Sequence, residues 1–229
     1  MHRLVWYIYK IADLNWKMFL VKLILTRTKT LNKSMLKRRD ILIGFATSLI
    51  TSSAFAFSAD DATLLVGKVV SEINSVINSG KSEQAMIVDF ENIFAKYADV
   101  NIIARSALGP PARSASSKQL EKFTTTFRGY MARKYGKQFR TFIGGEINVE
   151  KTTDRGKFFE VSALVTSSLY FTPFDVTFRV SDRSGQNLFF DIIIEGISLL
   201  SSERVEIGAL LDARKGSIDR LTNDLEKLG

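Results

Sequence analysis

Cysteine is absent from the 229 residues, and the one histidine is His2, at the amino end. A chain without thiols forms no disulfide, no thiolate metal site and no cysteine nucleophile. Without histidine the body of the chain also lacks the commonest general base and the commonest transition-metal ligand. Any catalysis would have to rest on carboxylates, so the composition favours a binding protein. Long apolar runs are missing from the first 34 residues as well, because Lys10, Asp13, Lys17 and Lys22 interrupt them. That spacing is too dense for a membrane span of about 20 residues. A surface-lying amphipathic segment, with Trp6, Tyr7, Tyr9 and Trp16 at the interface, is the other reading of this stretch.

Acidic residues are scarce only at that same end. The formal net charge is +8, but residues 1–56 hold 10 of the 32 Lys and Arg and 2 of the 24 Asp and Glu. Residues 57–229 therefore carry 22 charges of each sign. A neutral body presents no electrostatic footprint for a phosphate backbone, and nucleic acid is not an expected partner.

What is present begins with an export pattern. Lys37-Arg38-Arg39 form a charged start, Ile41 to Ile50 an apolar run, and Ala54-Phe55-Ala56 a small-x-small cleavage site. Residues 35–56 are expected to be a cleavable signal peptide and residues 57–229 a single mature domain. Residues 1–34 then form an upstream extension, with Met35 the expected start. General secretion is the expected route, and Arg38-Arg39 also fits a twin-arginine route.

The mature sequence opens with helical periodicity. Asp60 or Asp61 can cap a helix bearing Leu64, Leu65, Val69, Ile73, Val76 and Ile77. Ser82 can cap a second, with Met86, Phe90, Ile93, Phe94 and Tyr97 on one stripe. Asp99 opens a short third helix that Gly109-Pro110-Pro111 stops. Ser116 and Gln119 have capping-box spacing for a long fourth helix with Leu120, Phe123, Phe127, Tyr130, Met131 and Tyr135.

After Gly144-Gly145 the period changes to alternation, which marks strands. Ile147 and Val149 begin the first, and Phe159, Val161, Ala163 and Val165 share a face of the second. The third sets Phe174, Val176, Phe178 and Val180 against Asp175, Thr177, Arg179 and Ser181. Leu188 to Ile194 reads as the central strand, with Leu188, Phe190, Ile192 and Ile194 on one face and Phe189, Asp191, Ile193 and Glu195 on the other. Two closing helices follow, near Glu203 to Ala213 and after Gly216. Helices, an antiparallel meander of about four strands and closing helices make an α+β fold.

Several segments together resemble the MlaC, or toluene-tolerance, family. Phe90-Glu91-Asn92-Ile93-Phe94-Ala95-Lys96-Tyr97-Ala98-Asp99, with Ile103-Ala104-Arg105 and Leu108-Gly109, is similar to its helical entry motif. Asp191-Ile192-Ile193-Ile194-Glu195-Gly196-Ile197-Ser198-Leu199-Leu200 is similar to its Asp-x-x-x-Glu-Gly-x-Ser-Leu signature, and Glu206, Gly216, Leu221 and Leu225 match its closing helices. Asn187 and Ala112 stand where the family usually has tryptophan.

The resemblance implies a periplasmic phospholipid carrier with a cavity between a curved sheet and the helices, tails inside and head group near solvent. It implies no chemistry, no cofactor and no metal, with phospholipid as cargo. The implied partners are an inner-membrane ABC lipid transporter complex and an outer-membrane lipoprotein or porin complex. The candidate lining residues are Phe127, Tyr130, Met131 and Tyr135 on the long helix and Phe159, Val161, Phe178, Val180, Ile192 and Ile194 on the strands. Asp99, Asp191, Glu195, Gly196 and Ser198 are the structural signature. The related hopanoid branch leaves another lipid as an alternative cargo.

Asp191 and Glu195 on one strand face also raise a carboxylate hydrolase. Four residues of strand separate their Cα atoms by about 13 Å, beyond the roughly 5 to 9.5 Å of paired glycosidase carboxyls. Pairing with Arg105, or capping the chain after Gly196, is the expected use of these carboxylates.

Overall fold

The computed structural model describes residues 57–139, 143–166 and 173–229. The upstream extension and signal peptide expected at 1–56 lie outside the described residues.

Each of the first helices starts on a polar cap. Helix α1, Ala59–Ile77, is capped by Ser58, whose hydroxyl accepts from the Asp61 N–H while Asp61 accepts from the Ser58 N–H at 3.0 Å. Asp61, one of the two expected caps, thus serves as the reciprocal member of a capping box. Helix α2, Glu83–Tyr97, starts at Ser82 and buries Met86, Phe90, Ile93 and Tyr97. Helix α3, Val100–Leu108, is capped by Asp99, which accepts from the Ile102 N–H at 3.1 Å. Gly109 at φ 72° and two prolines end it in a 3-10 turn, Pro110–Arg113. Ala112, where the family usually places tryptophan, is buried in the core. Helix α4, Ser117–Phe139, begins on the Ser116/Gln119 box.

The sheet holds five antiparallel strands in chain order: β1 Glu146–Asp154, β2 Phe159–Thr166, β3 Phe174–Ser181, β4 Leu188–Ile194 and β5 Ile197–Ser198. Helices α5, Leu199–Asp212, and α6, Ile218–Leu225, close the chain. The α+β class is as expected. The additional strand is the two-residue β5, too short to produce alternation in a sequence.

Two expectations about Leu188 to Ile194 are corrected. β3, not β4, is the middle strand, since β4 has only β5 beyond it, through Ile193↔Ser198 and Ile194↔Ile197. The remaining edge of β4 is covered by the turn between α2 and α3, where Ala98 bridges Phe189 and the Asp99 N–H donates to the Phe189 carbonyl at 2.8 Å. Covering an edge in this way blocks pairing with other chains. The facing is also different. Register runs Phe178↔Ile192 and Arg179↔Asp191, then Val180↔Phe189, so Phe190 is the extra residue of a β-bulge. Phe189 therefore joins Ile192 and Ile194 on the helix-facing side, while Phe190 packs edge-on against Phe158 at 5.6 Å.

The β4–β5 turn has both central residues left-handed, Glu195 at φ 48° and Gly196 at φ 78°. Positive φ at both positions is the type I′ geometry that matches the twist of a hairpin. A methyl on Gly196 meets nothing within 4 Å, so only backbone strain opposes it. Gly196→Ala is expected to cost about 1–2 kcal/mol. Gly67, inside α1 at ordinary φ with the same open surroundings, is expected to gain about 0.5–1 kcal/mol on the same change. Urea unfolding of both variants checks the opposite signs; a Gly196→Ala variant as stable as wild type would refute the assignment of strain to Gly196.

Candidate functional site

Between the sheet and the helices lies an apolar cavity of about 150 Å3. Alternation on β3 aims Phe174, Val176 and Phe178 at it, and alternation on β4, reset by the bulge at Phe190, aims Phe189, Ile192 and Ile194. Helical spacing supplies the opposite wall: Val69 and Ile73 from α1, Phe90, Ile93 and Phe94 from α2, and Met131, Ala132, Tyr135 and Gly136 from α4. Ile147, Val165 and Leu199 complete it. At Gly136 a Cβ would come within 3.0 Å of the Ile87 side chain, so glycine lets α4 and α2 approach beside the cavity.

Of the ten residues expected to line such a space, Met131, Tyr135, Phe178, Ile192 and Ile194 stand on its wall. The other five are placed elsewhere. Phe127 is 0% exposed and stacked on Phe123 at 5.6 Å, and Val161 and Val180 are closed into the core. Phe159 packs edge-on against Phe57 at 5.1 Å. Tyr130 is buried and donates its hydroxyl to Glu206 at 2.8 Å. Core and lining share one apolar pattern, which is why the strand and helix stripes did not separate them. Phe90, Ile93 and Phe94 stood on a stripe with no mark distinguishing them, and Phe189 was hidden by the bulge.

Among the described residues the wall carries one polar side chain, Tyr135, and its hydroxyl is turned away to donate to Glu203. Glu203 is fully buried on α5 and also receives Lys134 Nζ at 2.6 Å. Lys134 reaches Glu206 at 2.7 Å and the Tyr130 hydroxyl at 3.0 Å. Burial pushes the Glu203 carboxyl above its ordinary value, against the pull of the Lys134 charge. Burial and then the Glu203 charge raise both tyrosine hydroxyls. Both phenols consequently stay neutral donors, and the cavity meets an aromatic ring rather than an ion.

The signature residues join the sheet to α5. Asp191 is buried and accepts from the Ser198 hydroxyl at 2.7 Å, the Leu200 N–H at 3.0 Å and Arg179 Nη1 at 3.4 Å. Desolvation raises its proton affinity, opposed by these donors. Ser198 accepts from the Ser201 N–H as the cap of α5, which starts at Leu199, four residues before the expected Glu203. Glu195 accepts from the Asp175 N–H at 2.7 Å and fixes the hairpin turn. Arg105 is exposed, and the expected pairing with it is replaced by Arg179. The two carboxylates serve different backbone segments and do not form a pair. Among the described residues no group of three or more carboxylates, histidines or cysteines is placed to hold a metal ion. None of the described helices is long and apolar enough to cross a membrane.

The family described as MlaC protein matches residues 67–227 of this sequence. The fold is similar to that of the phospholipid-binding protein from Ralstonia solanacearum, whose structure was solved in complex with a phospholipid. The TM-score is 0.62 at 16% identity, covering 72% of this chain and 95% of that one. With the family match extending from α1 to the end of α6, this chain belongs to the MlaC family.

Proposed function

We propose that the mature domain is a periplasmic phospholipid carrier that moves lipid between outer and inner membranes without making or breaking bonds. The observation that carries this reading is the almost wholly apolar wall between sheet and helices, with the Tyr135 hydroxyl turned away from it, in a member of the MlaC family. The similarly folded Ralstonia solanacearum protein holds a phospholipid. At about 0.8 kcal/mol per buried CH2, two acyl chains of roughly 30 methylenes gain on the order of 24 kcal/mol on leaving water. A bilayer offers nearly the same gain, so loading and unloading are close to balanced. Direction then comes from the partners, an inner-membrane ABC lipid transporter complex and an outer-membrane lipoprotein or porin complex.

An apolar cavity of about 150 Å3 matches a benzene-sized guest. Two acyl chains need far more, so loading parts the sheet from the helices and repacks Met131, Phe178 and their neighbours. A thioether and aromatic rings suit that repacking, because methionine fills irregular space.

The test is gentle purification of the exported protein followed by native mass spectrometry and lipid extraction. One diacyl lipid per chain is expected, on a polypeptide beginning near Phe57. Lipid-free protein that takes up nothing from vesicles would refute the carrier. A polycyclic lipid in the extract would identify the hopanoid alternative, and turnover of the lipid by wild-type protein, lost in Asp191→Asn, would identify a hydrolase.

A further inference from the structure

The helices are tied to the sheet at both of its ends. At one end β4 continues through β5 into α5, the Asp99 N–H donates to the Phe189 carbonyl at 2.8 Å, and the buried Asp191 carboxylate accepts from the Ser198 hydroxyl and the Leu200 N–H. At the other end α1 lies along β1, and among the described residues the polar ties across that seam are made at two places. The Asn74 amide pairs with both backbone groups of Ile147, each at 3.1 Å, and the Thr63 and Thr152 hydroxyls meet at 2.6 Å. All of these are neutral. Bonds to a charged group, such as those of Asp191, are roughly twice as strong, so the α1–β1 seam is the weaker end.

That seam is also already open on its outer side. A groove of about 520 Å3 runs between Gly67, Val70 and Asn74 of α1 and Ile147 and Val149 of β1. A Cβ on Gly67 would meet nothing within 4 Å, so α1 leaves the gap unfilled there. Ile147 lines both this groove and the apolar cavity, whose wall includes Val69 and Ile73 on the neighbouring face of α1. Groove and cavity therefore stand on either side of one isoleucine. Glu72 of α1 receives Lys96 Nζ and the Tyr97 hydroxyl of α2, both at 2.6 Å, which keeps α1 with the other helices.

We propose that acyl chains enter and leave through the α1–β1 seam, β1 parting from α1 while the β4–α5 junction holds as the hinge. The proposal rests on the carrier reading and supplies its route. Val69 and Ile73 then exchange contact with the sheet for contact with hydrocarbon, with little change in apolar burial. Asn74 is the latch. Water from the groove satisfies Asn74 and the Ile147 backbone when they separate, so opening leaves no buried polar group unpaired.

The chain has no cysteine, so Thr63→Cys with Thr152→Cys introduces a single reversible link across the seam. Uptake of phospholipid from phosphatidylethanolamine and phosphatidylglycerol vesicles by the exported protein is expected to slow at least about tenfold when this pair is oxidised, and to recover on reduction. Ser162→Cys with Thr177→Cys, opposed on β2 and β3 on the face away from the cavity, does not cross the seam and is expected to leave uptake unchanged when oxidised. Asn74→Ala is expected to speed uptake about fivefold, the factor that one neutral hydrogen bond is worth. In the wild type the Ile147 amide is expected to exchange with deuterium at least about tenfold faster than the Asp99 and Leu200 amides at the hinge. Equal uptake by the oxidised and reduced Thr63 and Thr152 pair, unchanged or slower uptake by Asn74→Ala, or faster exchange at the hinge would each overturn the route. Absence of uptake by the wild type would instead refute the carrier reading, and the order of amide exchange would still report which end of the sheet opens.

Discussion

Ile192→Asp is expected to leave the domain folded and strip it of lipid, whereas Phe127→Asp is expected to unfold it. Both positions are apolar and both were candidates for the lining. Ile192 stands on the cavity wall and is only half-buried, so water entering the cavity can solvate a carboxylate there. The same charge repels acyl chains, because burying it against hydrocarbon without a partner costs several kcal/mol. Phe127 has no such outlet. It is 0% exposed and sits between Phe123 at 5.6 Å and Tyr130 at 6.1 Å. An unpaired charge in that position removes several kcal/mol from a total of about 5–15. Phe178→Asp, on the wall but 3% exposed, is expected to fold less stably than Ile192→Asp and to lose lipid as completely. Circular dichroism melting and lipid extraction on the three variants decide the matter. If Ile192→Asp melts away with Phe127→Asp, the wall is ordinary core.

Lys134→Ala is expected to lower stability by about 3–5 kcal/mol, because it leaves the fully buried Glu203 carboxylate without its cation. Replacing the pair together, Lys134→Ala with Glu203→Leu, is expected to recover most of that loss, since no buried charge then remains. The pH dependence gives an independent reading. Burial raises the folded-state affinity of Glu203 for its proton above the ordinary value near 4.5. A raised carboxyl contributes stability that is fully present below the unfolded value and is lost as pH rises through the folded one. Removing Lys134 enlarges that rise. The deficit of Lys134→Ala relative to wild type is therefore expected to be greatest near neutral pH and to shrink as pH falls towards 4.5. Glu72 and Glu160, whose carboxyls lie below their ordinary value, act in the opposite sense, but they are common to both proteins and cancel in the difference. Urea unfolding across that range measures it; a deficit independent of pH would mean that lost packing of the lysine stem, and not the buried charge, sets the cost.

The local grammar of the chain was legible in its residues. Ser82, Asp99 and Ser116 cap the helices they were expected to cap, because a side-chain oxygen two or three residues before a free N–H satisfies it wherever the helix later packs. Alternation located β2 and β3 and assigned their faces, since a strand with one buried side admits only one register of apolar residues. The family was legible too, from the signature around Asp191 and the entry motif before Asp99.

Tertiary structure decided the rest. Phe189 and Phe190 are chemically identical, so no side-chain pattern marks which one the bulge turns inward; the pairing with Val180 settles it. Glu203 and Lys134 are 69 positions apart, and no spacing in the sequence pairs them; the fold brings α5 to α4 and joins both to Tyr135 and Tyr130. Phe127 and Met131 lie on one stripe of one helix, yet only Met131 reaches the cavity. An apolar sequence states that a side chain leaves water, and the partners brought from distant segments determine whether it meets protein or an open space. The sequence pattern therefore marks the apolar stripes that leave water, except beside the bulge, and only the assembled sheet and helices determined where a cavity is left between them.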